Sequence, residues 1–383
     1  MKKSFTAILM ALAFSSSIFG AELLKTEDSK LKLDGELSPN FYSFIKNEVR
    51  GDDDPVLGEG YNRFALDKAE LALSYEKGMT LGKITIDFLP LFSSNNSEED
   101  AALSMTDSKY PALSVAKHIY VQHFFTPQIG AKLGAFENVT TEWREKHNKY
   151  NFLNYVYMLS EDASPQYLGV KTFQEDLYQR NIGAAFLYKT EQVDVNISIH
   201  NNETGIHASH LEGESFGAVD SIYDYSNRKA LSVRASYALD AATDLSLFLN
   251  YNKFTAGVEG DTDNESAYRF GFAGAYNLDK ISAGAKVSYT TSSVKDSSSI
   301  YRLYGWFDYD VMESLFLGVS TDFAAIDNDD QTYVHNSLTL AVGTKLTENL
   351  KVAGVIESYF NDVDDDDLEQ KSLMLGLKTS FTF

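Results

Sequence analysis

Along most of this chain, segments of roughly ten residues alternate apolar with polar side chains, joined in turn by a tight connection and a long one. A period of two sends successive side chains to opposite faces of an extended strand. Leu231, Val233, Ala235 and Tyr237 stand against Ser232, Arg234 and Ser236. Ile281, Ala283, Ala285, Val287 and Tyr289 stand against Ser282, Gly284, Lys286 and Ser288. The tight connections fall at Glu76 to Leu81, Thr126 to Gln128, Thr190 to Gln192, Asp240 to Asp244, Leu278 to Lys280, Asp310 to Ser314 and Thr347 to Asn349. Seven tight turns imply eight hairpin pairs, hence sixteen strands. The other connections, 46–62, 92–113, 138–180, 202–228, 255–266, 292–299, 326–333 and 361–368, are longer and polar.

With 383 residues, the chain is long enough for a single large all-β body. Its 23 Tyr and 25 Phe beside only 6 Pro favour strands over helices. Beyond the N-terminus no run approaches the ~18 to 20 apolar residues of a membrane helix. A half-buried strand of a soluble sandwich shows the same alternation, so the position of the aromatics decides. Tyr75, Tyr188, Tyr237, Tyr276 and Tyr309 lie on the apolar phase close to the tight turns, and Tyr251, Tyr289, Phe323 and Phe360 lie on it at the opposite ends. Two such rings are expected where a barrel wall meets the two faces of a bilayer.

The last residues, KSLMLGLKTSFTF at 371–383, put Leu373, Leu375, Leu377, Phe381 and Phe383 on one face, broken only by Thr379. In water this would be an exposed apolar edge. In a closed barrel it pairs with the first strand, near Leu31 to Leu37, and the edge disappears. The expectation is an all-β, transmembrane antiparallel barrel of sixteen strands, with short periplasmic turns and long extracellular loops. Eighteen strands follow if QYLGVKTF at 166–173 pairs as an extra hairpin.

The N-terminal MKKSFTAILMALAFSSSIFGAELL has two lysines, an apolar stretch from Ala7 to Phe14 and small residues up to Gly20 and Ala21. That is the pattern of a bacterial secretory signal peptide, 1–20, cut after Gly20 or Ala21. One barrel domain, 21–383, is expected to remain. Without the first twenty residues, 31 basic side chains face 55 acidic ones, a net charge of −24. Such a charge argues against nucleic acid as a partner. The absence of cysteine removes disulfides and thiolate metal sites.

The whole mature chain resembles a Gram-negative outer-membrane general porin, and LMLGLKTSFTF resembles the C-terminal signal that the barrel assembly machinery recognises in such proteins. The resemblance makes Leu375, Leu377, Phe381 and Phe383 the assembly signal. It also implies a homotrimer in contact with outer-membrane lipid and lipopolysaccharide. A narrower likeness, to the phosphate-selective porin O and P family, lies in IGAKLGAFENVTTEWREK at 129–146 and QRNIGAAFLYKTEQVDVNISIHNNETG at 179–205. Ala135 stands where that family has Gln, and no ladder of regularly spaced lysines is evident, so phosphate selectivity is not implied.

Strand phase puts Lys132, Arg234, Arg269, Lys286, Arg302, Lys345, Lys351 and Lys378 on the inner wall, with Glu70, Asp87, Asp194, Asp308, Asp322 and Glu357. The same pattern would arise merely because charges avoid lipid. The third long connection, 138–180, is the candidate constriction, since 43 residues exceed what a connector needs. It carries Glu142, Arg144, Glu145, Lys146, His147 and Lys149, with Glu137 just before. Its acids, facing Lys132, Arg234, Arg269, Lys286 and Arg302, would set up a transverse field that orients polar solutes; solvated charges on an ordinary loop are the alternative. Acidic runs at Asp52 to Asp54, at Asp327, Asp329 and Asp330, and at Asp364 to Asp367 read better as a solvated, cation-attracting rim than as calcium sites, because none has the glycine and closing glutamate of an EF-hand loop.

The function expected is passive diffusion of ions and small hydrophilic solutes, with a weak cation preference. The alternatives are an anion- or phosphate-selective porin, or a barrel that is an enzyme or adhesin. Glu203, His207, His210, Glu212 and Glu214 share one loop but lack helix-borne His-Glu-x-x-His spacing, and Ser209 beside His210 is no triad. No catalytic residue, metal or cofactor is therefore expected.

Overall fold

The computed structural model describes residues 22–26, 28–50, 62–88, 116–137, 139–150, 180–201, 229–256, 263–292, 299–327, 332–363 and 368–383. The first strands are β1 (Glu22–Lys25), β2 (Ser29–Arg50), β3 (Asn62–Lys77), β4 (Thr80–Asp87), β5 (Ala116–Phe124) and β6 (Ile129–Glu137). A helix, α1 (Val139–His147), follows. Then come β7 (Arg180–Lys189), β8 (Val193–Asn201), β9 (Lys229–Ala238), β10 (Thr243–Ala256), β11 (Asp263–Leu278) and β12 (Ile281–Ser292). The last are β13 (Ser299–Met312), β14 (Leu315–Asp327), β15 (Thr332–Lys345), β16 (Leu350–Val363) and β17 (Leu368–Thr382).

Each strand from β2 onward pairs antiparallel with the next, and β17 returns to β2, so sixteen strands close into a barrel. The short β1 adds to β2 through Glu22 opposite Lys32 and Lys25 opposite Lys30. The closing seam runs further than Leu31 to Leu37: Thr382 sits opposite Glu36 and Glu369 opposite Arg50. The tight turns fall where the sequence puts them, whereas the strands run further into the long connections than alternation alone predicts, with β10 ending at Ala256 and β11 starting at Asp263. QYLGVKTF at 166–173 lies outside the described residues, as do the signal-peptide stretch, Asp52 to Asp54, Asp329 and Asp330, Asp364 to Asp367 and the 203–214 histidine cluster.

Several short turns reuse one device. The side-chain oxygens of Thr126, Thr190 and Thr347 each accept the backbone N–H groups two and three residues on, at 2.9–3.3 Å. Asp240 does the same for Ala242 and Thr243 at 2.8 and 2.7 Å, and these donors hold its carboxyl below the usual carboxylate range. Thr26 repeats the motif toward Ser29 between β1 and β2. A short polar side chain thus satisfies backbone groups that the ladder leaves open at a reversal. The β3–β4 turn instead uses Gly78 at φ 55°.

The two faces of the wall differ as a bilayer-spanning barrel requires. Leu133, Leu247 and Val342 on the outer face are 66, 59 and 56% exposed, whereas Arg234 on the inner face is 4% exposed. Tyr75, Tyr188, Tyr237 and Tyr276 are exposed beside the short turns. Inside, Lys378 and Glu357 form an ion pair at 0 and 1% exposure. Removing one partner of so buried a pair costs about 3–5 kcal/mol, while replacing both by apolar groups is close to neutral. Lys378→Met is therefore expected to lower the urea midpoint of the folded barrel, and Lys378→Met with Glu357→Leu to recover most of the loss.

Candidate functional site: the inner wall and the segment packed on it

Residues 139–150 pack against inward-facing side chains of the barrel. Val139 and Trp143 of α1 are buried with Phe248, Ala273, Ala275, Tyr304 and Trp306, which come from β10, β11 and β13. The Trp143 ring meets Phe248 and Trp306 edge-on at 5.8 and 5.7 Å, and its Nε1–H donates to Asp244 at 3.2 Å. Three residues past the helix, the Tyr150 ring stacks on Phe316 at 3.9 Å, 11° from parallel, and its hydroxyl donates to Asp310. Burial and that acceptor raise the Tyr150 hydroxyl well above its ordinary pKa. Asn148 donates to the Tyr304 hydroxyl at 3.3 Å, and Ser282 donates to the His147 carbonyl at 3.2 Å.

Two glycines make these seats. A Cβ at Gly284 would lie 2.2 Å from the Trp306 ring, and one at Gly343 would lie 2.1 Å from the Phe316 ring. Each aromatic therefore lies over a bare backbone, and each carries one anchor of the segment, Trp143 on the first and Tyr150 on the second. Asp244, Ser282 and Phe316 are each the second residue of their strand, so the contacts cluster at the short-turn end.

Charge is organised around this packing. Glu142 lies 3.3 Å from Arg234 and 3.7 Å from Lys132, and it accepts from Asn196 at 3.3 Å. Arg234 also grips both oxygens of Asp194, at 3.2 and 3.3 Å. Of the residues expected to converge, Lys132, Glu142 and Arg234 do so. Arg302 instead forks onto Asp322 on the neighbouring strand, its Nε 2.9 Å away. Arg269 donates to Thr290 at 3.0 Å, and the Lys286 ammonium lies over the Phe248 ring at 5.8 Å. Glu137 pairs with His118 at 2.9 Å at the root of the segment. The Arg144 carbonyl accepts from Asn148 N–H, and Glu145 lies on α1 with its side chain outside the described set. Among the described residues no cluster of His, Asp and Glu could hold a metal ion.

Trp143, Tyr150, Trp306, Phe316 and the two glycines were not candidates from the sequence. The signal was there: Phe248, Tyr304, Trp306 and Phe316 occupy the polar phase of their strands, where large rings break the pattern.

Burial pushes the His147 imidazole down to about 4, outweighing the Asp244 carboxylate 3.6 Å away. Detached from the wall it would titrate near 6.5. A docked form that binds fewer protons than the detached one is stabilised above that value and loses the advantage as pH falls from 6.5 toward 4. Tryptophan emission is expected to shift to the red at about pH 4.5 relative to neutral pH as the segment carrying Trp143 detaches, with the shift gone in His147→Gln.

No protein-family model matches the chain, and no curated protein matches its sequence. Among solved structures it is similar to OmpT, an outer membrane protein of Vibrio cholerae, in a form lacking loop L8 (TM-score 0.60, 9% identity, 93% of this chain and 100% of that one). A trimer form of OmpT also matches (TM-score 0.58, 10% identity, 93% and 100%). OmpF of Salmonella typhi, in complex with daunomycin, matches at TM-score 0.57 and 10% identity over 94% and 99%. An anion-selective porin from Comamonas acidovorans matches at TM-score 0.54 and 12% identity over 93% and 100%. The likeness is one of fold. What these structures share with this chain is the closed antiparallel β-barrel.

Proposed function

We propose that the protein is an outer-membrane porin, a water-filled channel for passive diffusion of ions and small hydrophilic solutes. The observation that carries this reading is the inner wall: a sixteen-strand barrel with an apolar exterior lines its interior with ion pairs such as Arg302–Asp322, Arg234–Asp194 and Lys378–Glu357. Sixteen strands enclose more space than side chains fill. Residues 139–150 supply the constriction, with Glu142, Lys132 and Arg234 as its charged rim. The acidic surplus of the sequence gives a weak preference for cations, strongest at the long-loop mouth. Residues 1–20 direct export, the last strand is read by the assembly machinery, and three copies assemble in lipid and lipopolysaccharide, a reading that the trimer form of OmpT supports.

Purified protein in a planar bilayer tests this. Stepwise currents of one defined size are expected, with a reversal potential in a potassium chloride gradient that favours potassium. Silence from a barrel with intact strand spectra overturns the channel, and a potential favouring chloride overturns the cation preference.

A further inference from the structure

Much of the inner wall is ion-paired, but at the short-turn end two lysines face each other. Lys345, the last residue of β15, and Lys351, the second of β16, sit directly opposite each other in the ladder, both on the inward phase. Like charges in that position weaken a strand pair, so the fold gains nothing from them. A third lysine arrives from the packed segment. The ammonium nitrogens of Lys149, Lys345 and Lys351 lie 5.9, 5.6 and 5.4 Å from the centroid of a single ring, that of Tyr150. Asp310 takes Lys149 and, at 3.3 Å, Lys345. Lys351 has no ion pair among the described residues. Counting buried Asp308 two residues away, and Glu36, which also attracts Lys351 but is itself paired with Lys68 at 3.2 Å, still leaves four cations against three anions.

The ring that gathers the lysines is itself fixed. Gly343 lets Phe316 lie on the wall, Phe316 stacks under Tyr150, and Asp310 holds the Tyr150 hydroxyl. Three donors brought in from three separate backbone positions suit a ligand with several acceptor oxygens better than they suit one another.

We infer that Lys149, Lys345 and Lys351 around Tyr150 form an oxyanion-binding station at the short-turn end of the barrel lumen, one that holds phosphate or carboxylate groups of passing solutes. The inference rests on the channel reading, within which it names a solute class. It is compatible with a weak overall cation preference, because the station is local while the acidic surplus is spread over the whole chain.

Two measurements on the full-length protein test it. Calorimetric titration of the detergent-solubilised barrel with inorganic phosphate is expected to saturate. Binding should be about tenfold weaker in Lys351→Gln and in Lys345→Gln. It should be unchanged in Lys371→Gln, which removes a lysine that lies instead over the Phe360 ring at 5.4 Å, at the long-loop end. In bilayers, phosphate added at the short-turn side should reduce the chloride current of the unaltered channel and leave that of the double variant Lys345→Gln, Lys351→Gln intact. Phosphate binding that both lysine variants leave unchanged, or a conducting barrel that binds no phosphate, overturns the station. A folded barrel that binds phosphate through these lysines yet never conducts keeps the station and overturns the channel.

Discussion

Replacing Trp143 and Tyr150 together by alanine is expected to enlarge the single-channel current step and make it noisier, while the barrel itself stays folded. The two rings are the anchors of residues 139–150, one against Trp306 and Phe248 and the other on Phe316. Truncating a buried aromatic to alanine costs about 3–5 kcal/mol. The remaining ties are hydrogen bonds worth about 1 kcal/mol each, such as Asn148 to Tyr304 and Ser282 to the His147 carbonyl, and the part-exposed ion pairs of Glu142 with Arg234 and of Lys149 with Asp310, worth about 1–3 kcal/mol each. Loss of both anchors therefore outweighs what is left, and the segment leaves the wall. None of these contacts belongs to the strand ladders, so the strand spectrum of the folded barrel should be unchanged. A folded double variant with the original step and the original noise would show that 139–150 does not narrow the path. Gly343→Val offers a check from the other side, because a Cβ there collides with Phe316 and so unseats Tyr150 without touching the segment.

The architecture was legible because a barrel wall in lipid obeys one rule at every position. Leu231 to Tyr237 and Ile281 to Tyr289 alternate strictly, since each step faces either hydrocarbon or the interior. The rule lapses beyond the bilayer, which is why the ends of β10 and β11 could not be placed: with water on both faces, nothing selects the phase. The inner packing was less legible for a different reason. Trp143 pairs with Asp244 across a separation of 101 residues, and Tyr150 with Asp310 across 160. No local pattern records such a meeting. What local pattern could record was the intrusion of Trp306 and Phe316 into the polar phase, each over a glycine on an adjacent strand. Likewise, phase alone put Arg302 inside but could not say that Asp322 would neutralise it.

Deleting Phe383 is expected to cut the amount of barrel reaching the outer membrane sharply, while those barrels that do form conduct normally. The residue closes the weakest part of the seam. Between Leu377 opposite Phe41 and Phe381 opposite Leu37 the ladder is interrupted at Pro39, which has no N–H to give, and the side chain of Asn40 substitutes by accepting Thr379 N–H at 2.7 Å. Beyond the gap, Phe383 and Gly35 exchange two backbone hydrogen bonds, at 2.7 and 3.0 Å, and the Phe383 ring covers Gly35 on the outer face. The deletion removes two bonds worth about 1 kcal/mol each and ring burial worth about 2–3 kcal/mol. Phe381, 8% exposed against 42 and 44% for Leu375 and Leu377, packs beside that ring at 5.7 Å and loses its neighbour. Two explanations then compete for the assembly defect, a missing label and a missing clamp. Gly35→Val separates them: the terminal sequence is untouched, but a Cβ at that position would lie 2.3 Å from the ring, so the seat is gone. If the terminal Phe acts only as a label for the assembly machinery, Gly35→Val reaches the surface at normal levels. If the seam needs its clamp, Gly35→Val falls with the deletion, and its barrels open at lower urea concentration than the unaltered protein.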